Sequence, residues 1–425
     1  MKYVIKNGII LDGSENMEPV QGKMILVEDG IIQDIQDEKE MNGYEVIDLQ
    51  GKYIMPGLIN MHVHLAGNGK PQKKQYDYEK LVSFIFSNPI GRFAAKKLVE
   101  YYAKLELYSG VTTIRTVGGL RNLDSTIRNE INDRKLVGPR ILCSDEGISV
   151  VGGHMAGSVA HACRSVEEAV KLVDERKQVG CDFVKLMITG GVMDAKVKGM
   201  PGEMKMKEDM IQTCCEEAKK NGMYVSAHVE STEGVKIALK HGVKSIEHGA
   251  KPDEEMISLF KEKDAFLITT LSCTVPYALF DRSVSNASEV EQFNGNVVFE
   301  GIKECSKVAL ENGIKVGLGN DVGCPWISQY DFWRELVYFH KFVGVSNRFA
   351  LFTATKRNAE LAGIGDITGS IEKGKSADLI VTQENPLEDL HALKQVDMVI
   401  IKGNIHDHPK YKKNETVSKQ LDNFC

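Results

Sequence analysis

From Tyr53 onward, short apolar runs alternate with amphipathic stretches of helical periodicity, and this alternation limits the possible folds more than any other feature of the sequence. Eight of the runs are predicted to be strands: Tyr53–His64, Thr112–Val117, Arg140–Ser144, Phe183–Ile188, Tyr224–His228, Ser245–His248, Phe266–Thr269 and Lys315–Gly319. Several of the helical stretches between them are followed by glycine at the expected stop position, as at Gly110 and Gly180. The pattern predicts an α/β protein, a (β/α)8 TIM barrel. A doubly wound open sheet is the alternative, but no GxGxxG motif follows the first strand.

Both ends of the chain are rich in short strands and turns. Residues 1–57 contain five β-rich segments and no helical pattern, and residues 367–425 return to the same texture after a helical stretch at Arg348–Ala362. We therefore expect a small β-sandwich built from 1–57 and 367–425 beside a barrel of residues 58–366. The polar stretch His408–Cys425 is expected to fray as a C-terminal tail.

Three connections are longer than an ordinary turn between a strand and a helix. They are Ala66–Gly91, Thr189–Met206 and Leu271–Phe299, after predicted strands 1, 4 and 7. Connections of this length are usually lids or binding loops. In a barrel they would lie at the catalytic end.

Composition excludes several classes of function. The 425 residues carry a net charge of −6 with no basic block, so no nucleic-acid partner is expected. No run of about 18 apolar residues suggests a membrane span. The first residues lack the apolar core and cleavage site of a signal peptide. Nine scattered cysteines without a CxxC pair are typical of reduced thiols in a cytoplasmic protein.

The first barrel strand ends in the sequence His62-Val63-His64. Residues two apart in a strand project from the same face, so one strand aims both imidazoles at one point. Two histidines on an exposed polar face are the alternative. The pattern favours the start of a metal site.

Other residues that can bind metals follow later predicted strands. His228 ends strand 5, His248 ends strand 6 and Asp321 follows strand 8. A hydrogen-bonded structural histidine or a helix-capping aspartate would explain any one of them. Because a barrel brings all its strand ends to one rim, the full set is expected to converge there.

Lys185 lies in the middle of the apolar strand 4. Burial would lower the pKa of its amine, and a neutral amine can add carbon dioxide to form a carbamate that bridges two metal ions. The alternatives are a lysine paired with a carboxylate or one that reaches solvent along its aliphatic stem. The residue chemistry alone does not separate them.

This set of residues resembles the binuclear branch of the amidohydrolase superfamily, over nearly the whole chain. The lead-in Gly51–His64 and the closing Gly369–Val381 are similar to that superfamily's framing segments. The segments Gly110–Gly119, Gly152–Gly157 and Ala227–Leu239 are most similar to imidazolonepropionase-like, prolidase-type members.

The resemblance implies a centre of two divalent metal ions. His62, His64 and Asp321 would hold one ion, His228 and His248 the other, and N6-carboxylated Lys185 would bridge them. Zinc is expected, with manganese, iron or cobalt as alternatives. A hydroxide shared by the ions would attack a carbonyl carbon, and Asp321 would move the proton to the leaving nitrogen.

The resemblance further implies hydrolysis of amide or peptide C–N bonds in small molecules, with dipeptides or N-acyl amino acids as favoured substrates. His154 would donate to the carbonyl oxygen or to a substrate carboxylate, or serve a structural role. Arg115, Arg121 and Arg164 are candidate carboxylate ligands, or else form ordinary salt bridges. Hydrolysis of a cyclic amide or a lactone is the alternative activity, and a non-catalytic barrel protein is the alternative class. Self-association as a homo-oligomer is expected.

Two positions depart from the related peptidases. Their tyrosine near the strand-5 histidine is missing, because Val229, Glu230 and Ser231 follow His228. Many members also carry aspartate where this chain has Thr116. Both departures bear on the substrate and not on the metal ligands.

Overall fold

The computed structural model describes residues 2–71 and 77–425. Strands of the N-terminal part are β1 (Lys2–Lys6), β2 (Ile9–Ile10), β3 (Lys23–Glu28), β4 (Ile31–Asp37), β5 (Glu45–Asp48) and β6 (Tyr53–Pro56). The central part contains β7 (Leu58–Val63), β8 (Val111–Thr116), β9 (Arg140–Cys143), β10 (Gly147–Val150), β11 (Ala160–Cys163), β12 (Phe183–Met187), β13 (Tyr224–Val229), β14 (Ser245–His248), β15 (Phe266–Thr269) and β16 (Val316–Leu318). The C-terminal part contains β17 (Leu379–Thr382), β18 (Met398–Ile401) and β19 (Asn404–Asp407).

The central strands pair in parallel and form the predicted TIM barrel. One sheet has the order β7-β8-β9 and the other β11-β10-β12-β13-β14-β15-β16. Backbone hydrogen bonds join the two sheets at both seams. The amide of Asp182 donates to Cys143 O at 2.9 Å, and the amide of Asp321 donates to His62 O at 3.0 Å. The second seam places the segment after β16 directly beside the histidines of β7.

The helices are α1 (Tyr78–Phe86), α2 (Pro89–Tyr108), α3 (Leu123–Asn132), α4 (Val166–Gln178), α5 (Glu208–Lys220), α6 (Thr232–Lys240), α7 (Glu254–Glu262), α8 (Leu271–Ala278), α9 (Arg282–Ser285), α10 (Glu289–Glu311), α11 (Phe332–Tyr338), α12 (Asn347–Phe352), α13 (Asn358–Leu361) and α14 (Glu415–Asp422). Gly110 and Gly180 follow α2 and α4 with φ of 99° and 76°, so both occupy the left-handed position that ends a helix. Among the described residues, the helices are too short or too polar to cross a bilayer.

Both chain ends contribute to the predicted β-sandwich. One sheet has the order β4-β3-β1-β5, and the other, β19-β18-β17-β6-β2, contains strands from both ends. Their inner faces share one apolar core that includes Tyr3, Ile25, Leu379 and Ile400. The predicted first barrel strand is therefore divided, since its first part, β6, pairs with β17. Gly57 lies at the division, where a Cβ would come within 2.2 Å of the Thr112 side chain.

Three predictions about the connections and the tail are wrong in part. Helix α1 and the start of α2 occupy much of Ala66–Gly91, whose residues 72–76 lie outside the described part, and α8, α9 and half of α10 occupy Leu271–Phe299. The stretch His408–Cys425 does not fray. It ends in α14, which buries Val417 and Leu421, and Arg334 holds Asp422 with a 2.6 Å ion pair. Although its sequence is mostly polar, α14 packs on the protein through the apolar side chains of Val417 and Leu421.

Candidate metal centre

The two histidines of β7 and the aspartate after β16 meet at one point. Nε2 of His62 and Nε2 of His64 lie 3.3 and 3.2 Å from Oδ1 of Asp321. Asp321 has a φ of 55°, a left-handed conformation that aspartate adopts more readily than most residues. Its Oδ1 atom is buried and accepts no hydrogen bond within the described residues. An orphaned carboxylate oxygen between two imidazole nitrogens fits a bound divalent cation.

The histidines of the two later strands extend this cluster. The rings of His228 and His248 have centroids 4.6 Å apart, and those of His62 and His248 lie 4.9 Å apart. All three rings are buried. The structure therefore brings together the four histidines and the aspartate that the sequence placed at the strand ends.

Each of the four imidazoles has one ring nitrogen occupied by a hydrogen bond, which fixes its orientation. The partners are Glu247 Oε2 for His62 Nδ1 (2.8 Å), Gly118 O for His64 Nδ1 (2.9 Å), Gly190 O for His228 Nε2 (3.1 Å) and Thr270 Oγ1 for His248 Nδ1 (2.7 Å). Carboxylate and carbonyl oxygens only accept, so the bonded nitrogens of His62, His64 and His228 carry the proton, and the Thr270 hydroxyl is able to accept from His248 in the same way. The other nitrogen keeps its lone pair, as a metal ligand requires.

The electrostatics keep these rings in the form that binds metals. Burial lowers the pKa of His62 to about 4, against the opposing charge of Asp321. Burial also holds the pKa values of His228 and His248 well below the usual range of histidine. These three imidazoles are neutral at neutral pH and are therefore able to act as ligands.

Lys185 lies on β12 and is 1% exposed. Its Nζ is buried and has no hydrogen-bond partner within the described residues, which excludes both the carboxylate-paired lysine and the solvent-reaching one. Burial lowers the pKa of Lys185 to about 8, although the charge of Glu247 acts in the opposite direction. An amine in this setting is neutral much more often than an ordinary lysine and is available to react as a nucleophile.

A buried ion pair lies behind the histidines. Arg115 Nη2 is 2.6 Å from Glu247 Oε1, and the hydroxyls of Ser226 and Ser245 donate to the same oxygen at 2.6 Å. Burial alone would raise the pKa of Glu247, but Arg115 and His62 hold it well below its usual range. Of the two roles that the sequence left open for Arg115, the salt bridge is the one observed, because its guanidinium contacts Met61 O, Ser245 and Glu247 and does not line the pocket in the described part of the chain.

The other two candidate arginines do not line the pocket in the described part of the chain. Arg121 contacts Glu146 at 3.2 Å with a half-exposed side chain. The backbone amide of Arg164 donates to Glu168, and this residue is exposed. Of the alternatives that the sequence left open for Arg121, the salt bridge is the one observed.

His154 follows β10 and lines the pocket. Its ring stacks on that of His228 with centroids 3.9 Å apart and an interplanar angle of 9°. Its Nδ1 lies 2.5 Å from Asp194 Oδ2, which also accepts a hydrogen bond from the amide of Gly191. The contact fixes the ring, and Nε2 is left for another partner.

Five polar pocket residues were not predicted from the sequence: Glu230, Cys273, Thr274, Tyr277 and Cys324. Glu230 directly follows β13, two residues after His228. This spacing of two was the signal in the sequence that the two side chains share a face. Cys273 and Tyr277 come from α8, which the sequence suggested only as part of a long loop. Their contribution to the pocket depends on the helix that forms there.

The chain is similar to several known proteins in sequence and in fold. The Amidohydrolase family profile matches residues 53–406. Ochratoxinase of Aspergillus niger is 25% identical over 92% of this chain and 83% of its own length. A candidate prolidase from Bifidobacterium longum is 32% identical, with a TM-score of 0.87 over 99% of this chain and 98% of the other.

A second solved structure, a Xaa-Pro dipeptidase with methionine bound in its active site, is 29% identical to this chain. It superposes with a TM-score of 0.82 over 96% of this chain and 100% of the other. The resemblance to prolidase-type enzymes that the sequence motifs indicated is thus confirmed.

Proposed function

Because this chain belongs to the amidohydrolase family, we propose that it is a metal-dependent hydrolase that cleaves the amide or peptide C–N bond of dipeptides or N-acyl amino acids with a free carboxylate. One observation carries the proposal. The neutral imidazoles of His62, His228 and His248 line one pocket with Asp321 and Lys185. Within the described residues, Asp321 Oδ1 and Lys185 Nζ have no hydrogen-bond partner. Relatives described as a prolidase and a dipeptidase support the substrate class.

In this proposal the side chains divide into two ligand sets. His62, His64 and Asp321 would hold one divalent ion, and His228 and His248 would contribute to the other. Lys185, carboxylated on Nζ, would supply carboxylate oxygens to the same centre. Imidazole and carboxylate donors favour zinc.

Divalent ions bound at this site would lower the pKa of a water molecule and polarise the carbonyl of the substrate. The protein residues orient the partners and move the proton. The Oδ1 atom of Asp321 lies 3.3 and 3.2 Å from Nε2 of His62 and His64, so its carboxylate is in position to accept a proton at this centre. Asp321 then passes that proton to the nitrogen of the leaving amine.

His154 positions the substrate in this scheme. Asp194 accepts from Nδ1 of the ring, and in its imidazolium form His154 also donates from Nε2 to a carbonyl or carboxylate oxygen of the substrate. The stacked His228 ring restricts rotation of His154. A fixed donor of this kind contributes by orientation as well as by charge.

The test is a hydrolysis screen with direct detection of free amino acids. The substrates are dipeptides, N-acyl amino acids and the C-terminal amides of both, with cyclic amides and lactones as a second set. The proposal expects release of an amino acid from the first two classes and slower release from the amides. Cleavage of only cyclic amides or lactones would replace the substrate class. No turnover of any member by metal-loaded protein would refute the activity.

A further inference from the structure

Glu230 is the acidic side chain of the pocket that the ligand sets above do not use. It follows β13 two residues after His228, and its Oε2 atom is buried without a hydrogen-bond partner in the described part of the chain. One of its carboxylate oxygens, one ring nitrogen of His228 and one of His248 all lie within 4.8 Å of one another. The three side chains can therefore offer donor atoms to a single ion.

The surroundings of Glu230 favour a cation at this place. The charged side chains that act on it most strongly are both acidic, Asp321 and Asp194. A carboxylate with an oxygen buried beside other acids, as Glu230 Oε2 is, is costly unless a cation or a proton neutralises it. The nearest groups that can share a cation with it are the imidazoles of His228 and His248.

We propose that Glu230 is a ligand of the second metal ion, together with His228 and His248; this rests on the metal centre of the proposed function. Each ion then has one carboxylate of its own, Asp321 for the first and Glu230 for the second.

The assignment has a consequence for metal binding. With two imidazoles and a carboxylate, the second ion has three protein donors that do not depend on carboxylation of Lys185. Three protein ligands are the usual number for a zinc ion that keeps a position open for substrate. The second ion should therefore stay bound at low carbon dioxide, where the carbamate of Lys185 is lost.

The experiment compares Glu230→Gln with Glu233→Gln, which makes the same chemical change on exposed α6, where the Glu233 side chain is 64% exposed. Both variants and the wild type are stripped with a chelator and dialysed against zinc buffered at a series of free concentrations. Metal content per chain is then measured. Cobalt loading with visible absorption spectra gives a second readout, because loss of an oxygen ligand changes the d–d bands.

Glu230→Gln is expected to bind the first ion normally and the second at least about tenfold more weakly, since loss of even an indirect partner of a metal ligand costs that much. Its cobalt spectrum should change for the second equivalent only, and Glu233→Gln should match the wild type. If Glu230→Gln binds both ions with wild-type affinity and spectrum, the assignment is wrong, and a raised KM would instead make Glu230 a contact of a cationic substrate group. If the wild type binds no metal, the proposed function itself fails.

Discussion

The Nδ1 atom of His62 and the Oε2 atom of Glu247 lie 2.8 Å apart, and both side chains are fully buried. Glu247 connects this imidazole to the guanidinium of Arg115 on its other side. The carboxylate thus holds His62, a proposed metal ligand, in one tautomer and is itself held by a buried cation. Such an arrangement tunes both the direction and the basicity of the ring.

Replacing Glu247 with glutamine should weaken this support in two ways. Metal affinity should fall by about 10–100-fold because His62 loses its orienting acceptor. The free energy of unfolding should fall by about 3–5 kcal/mol because Arg115 is left buried without its counterion. Chemical denaturation and metal titration measure the two effects. Glu254→Gln, on exposed α7, serves as the control, and equal behaviour of the two variants would contradict the role of Glu247.

Lys185→Ala should bind metal more weakly and lose turnover, because the carboxylate oxygens that Lys185 supplies are lost while the histidines and acidic ligands remain. A short carboxylic acid added to the buffer should restore part of both, because it can enter the space left by the side chain and supply two bridging oxygens. Metal analysis and hydrolysis rates with and without the acid give the result. Lys171→Ala, whose side chain is 77% exposed, is the matched control. A Lys185→Ala protein with both ions and full turnover would end the carbamate hypothesis.

Asp321→Asn should fold normally, because asparagine also tolerates the φ of 55° found there. Its kcat should fall by about 10²–10⁴-fold, the usual contribution of a positioned acid–base group. Circular dichroism and steady-state kinetics on metal-loaded protein test this. Turnover within a few-fold of the wild type would remove Asp321 from proton transfer.

Asp124 should make stability depend on pH. Burial and the charge of Asp145 raise the pKa of Asp124 from 3.8 to about 7, so the folded protein keeps a proton that the unfolded chain releases. The contribution of Asp124 to the free energy of unfolding is complete below about pH 4 and is lost as the pH rises through about 7. Asp124→Asn should flatten this part of the curve and unfold at a higher temperature than the wild type at pH 8. The control is Asp133→Asn, at an exposed position. If stability depends on pH in the same way in both variants, the raised pKa of Asp124 is refuted.

The sequence predicted the barrel and the meeting of the candidate metal ligands for one physical reason. In a parallel barrel the C-terminal ends of all strands meet, so His62, His228 and His248 had to lie close together once their strands were assigned. The pattern His62-Val63-His64 was informative because alternation in a strand fixes which side chains share a face. Metal identity, carboxylation of Lys185 and oligomeric state stay predictions.

Other features could not be predicted, because they depend on long-range partners. Strand alternation does not predict that Arg115 forms a buried ion pair with Glu247 of a distant strand. The docking of α14 depends on Arg334, far away in sequence, which pairs with Asp422. Glu230 was noticed only as the absence of tyrosine, since its burial beside two histidines becomes visible only when the strands are assembled.

The central claim is that hydrolysis depends on a centre of two metal ions held by these residues. The most direct measurement removes all metal with a chelator and follows dipeptide hydrolysis as zinc is added back. The account predicts no turnover without metal and a rise that ends at about two ions per chain. Full turnover by metal-free protein, or metal-loaded protein that cleaves no amide, would contradict it.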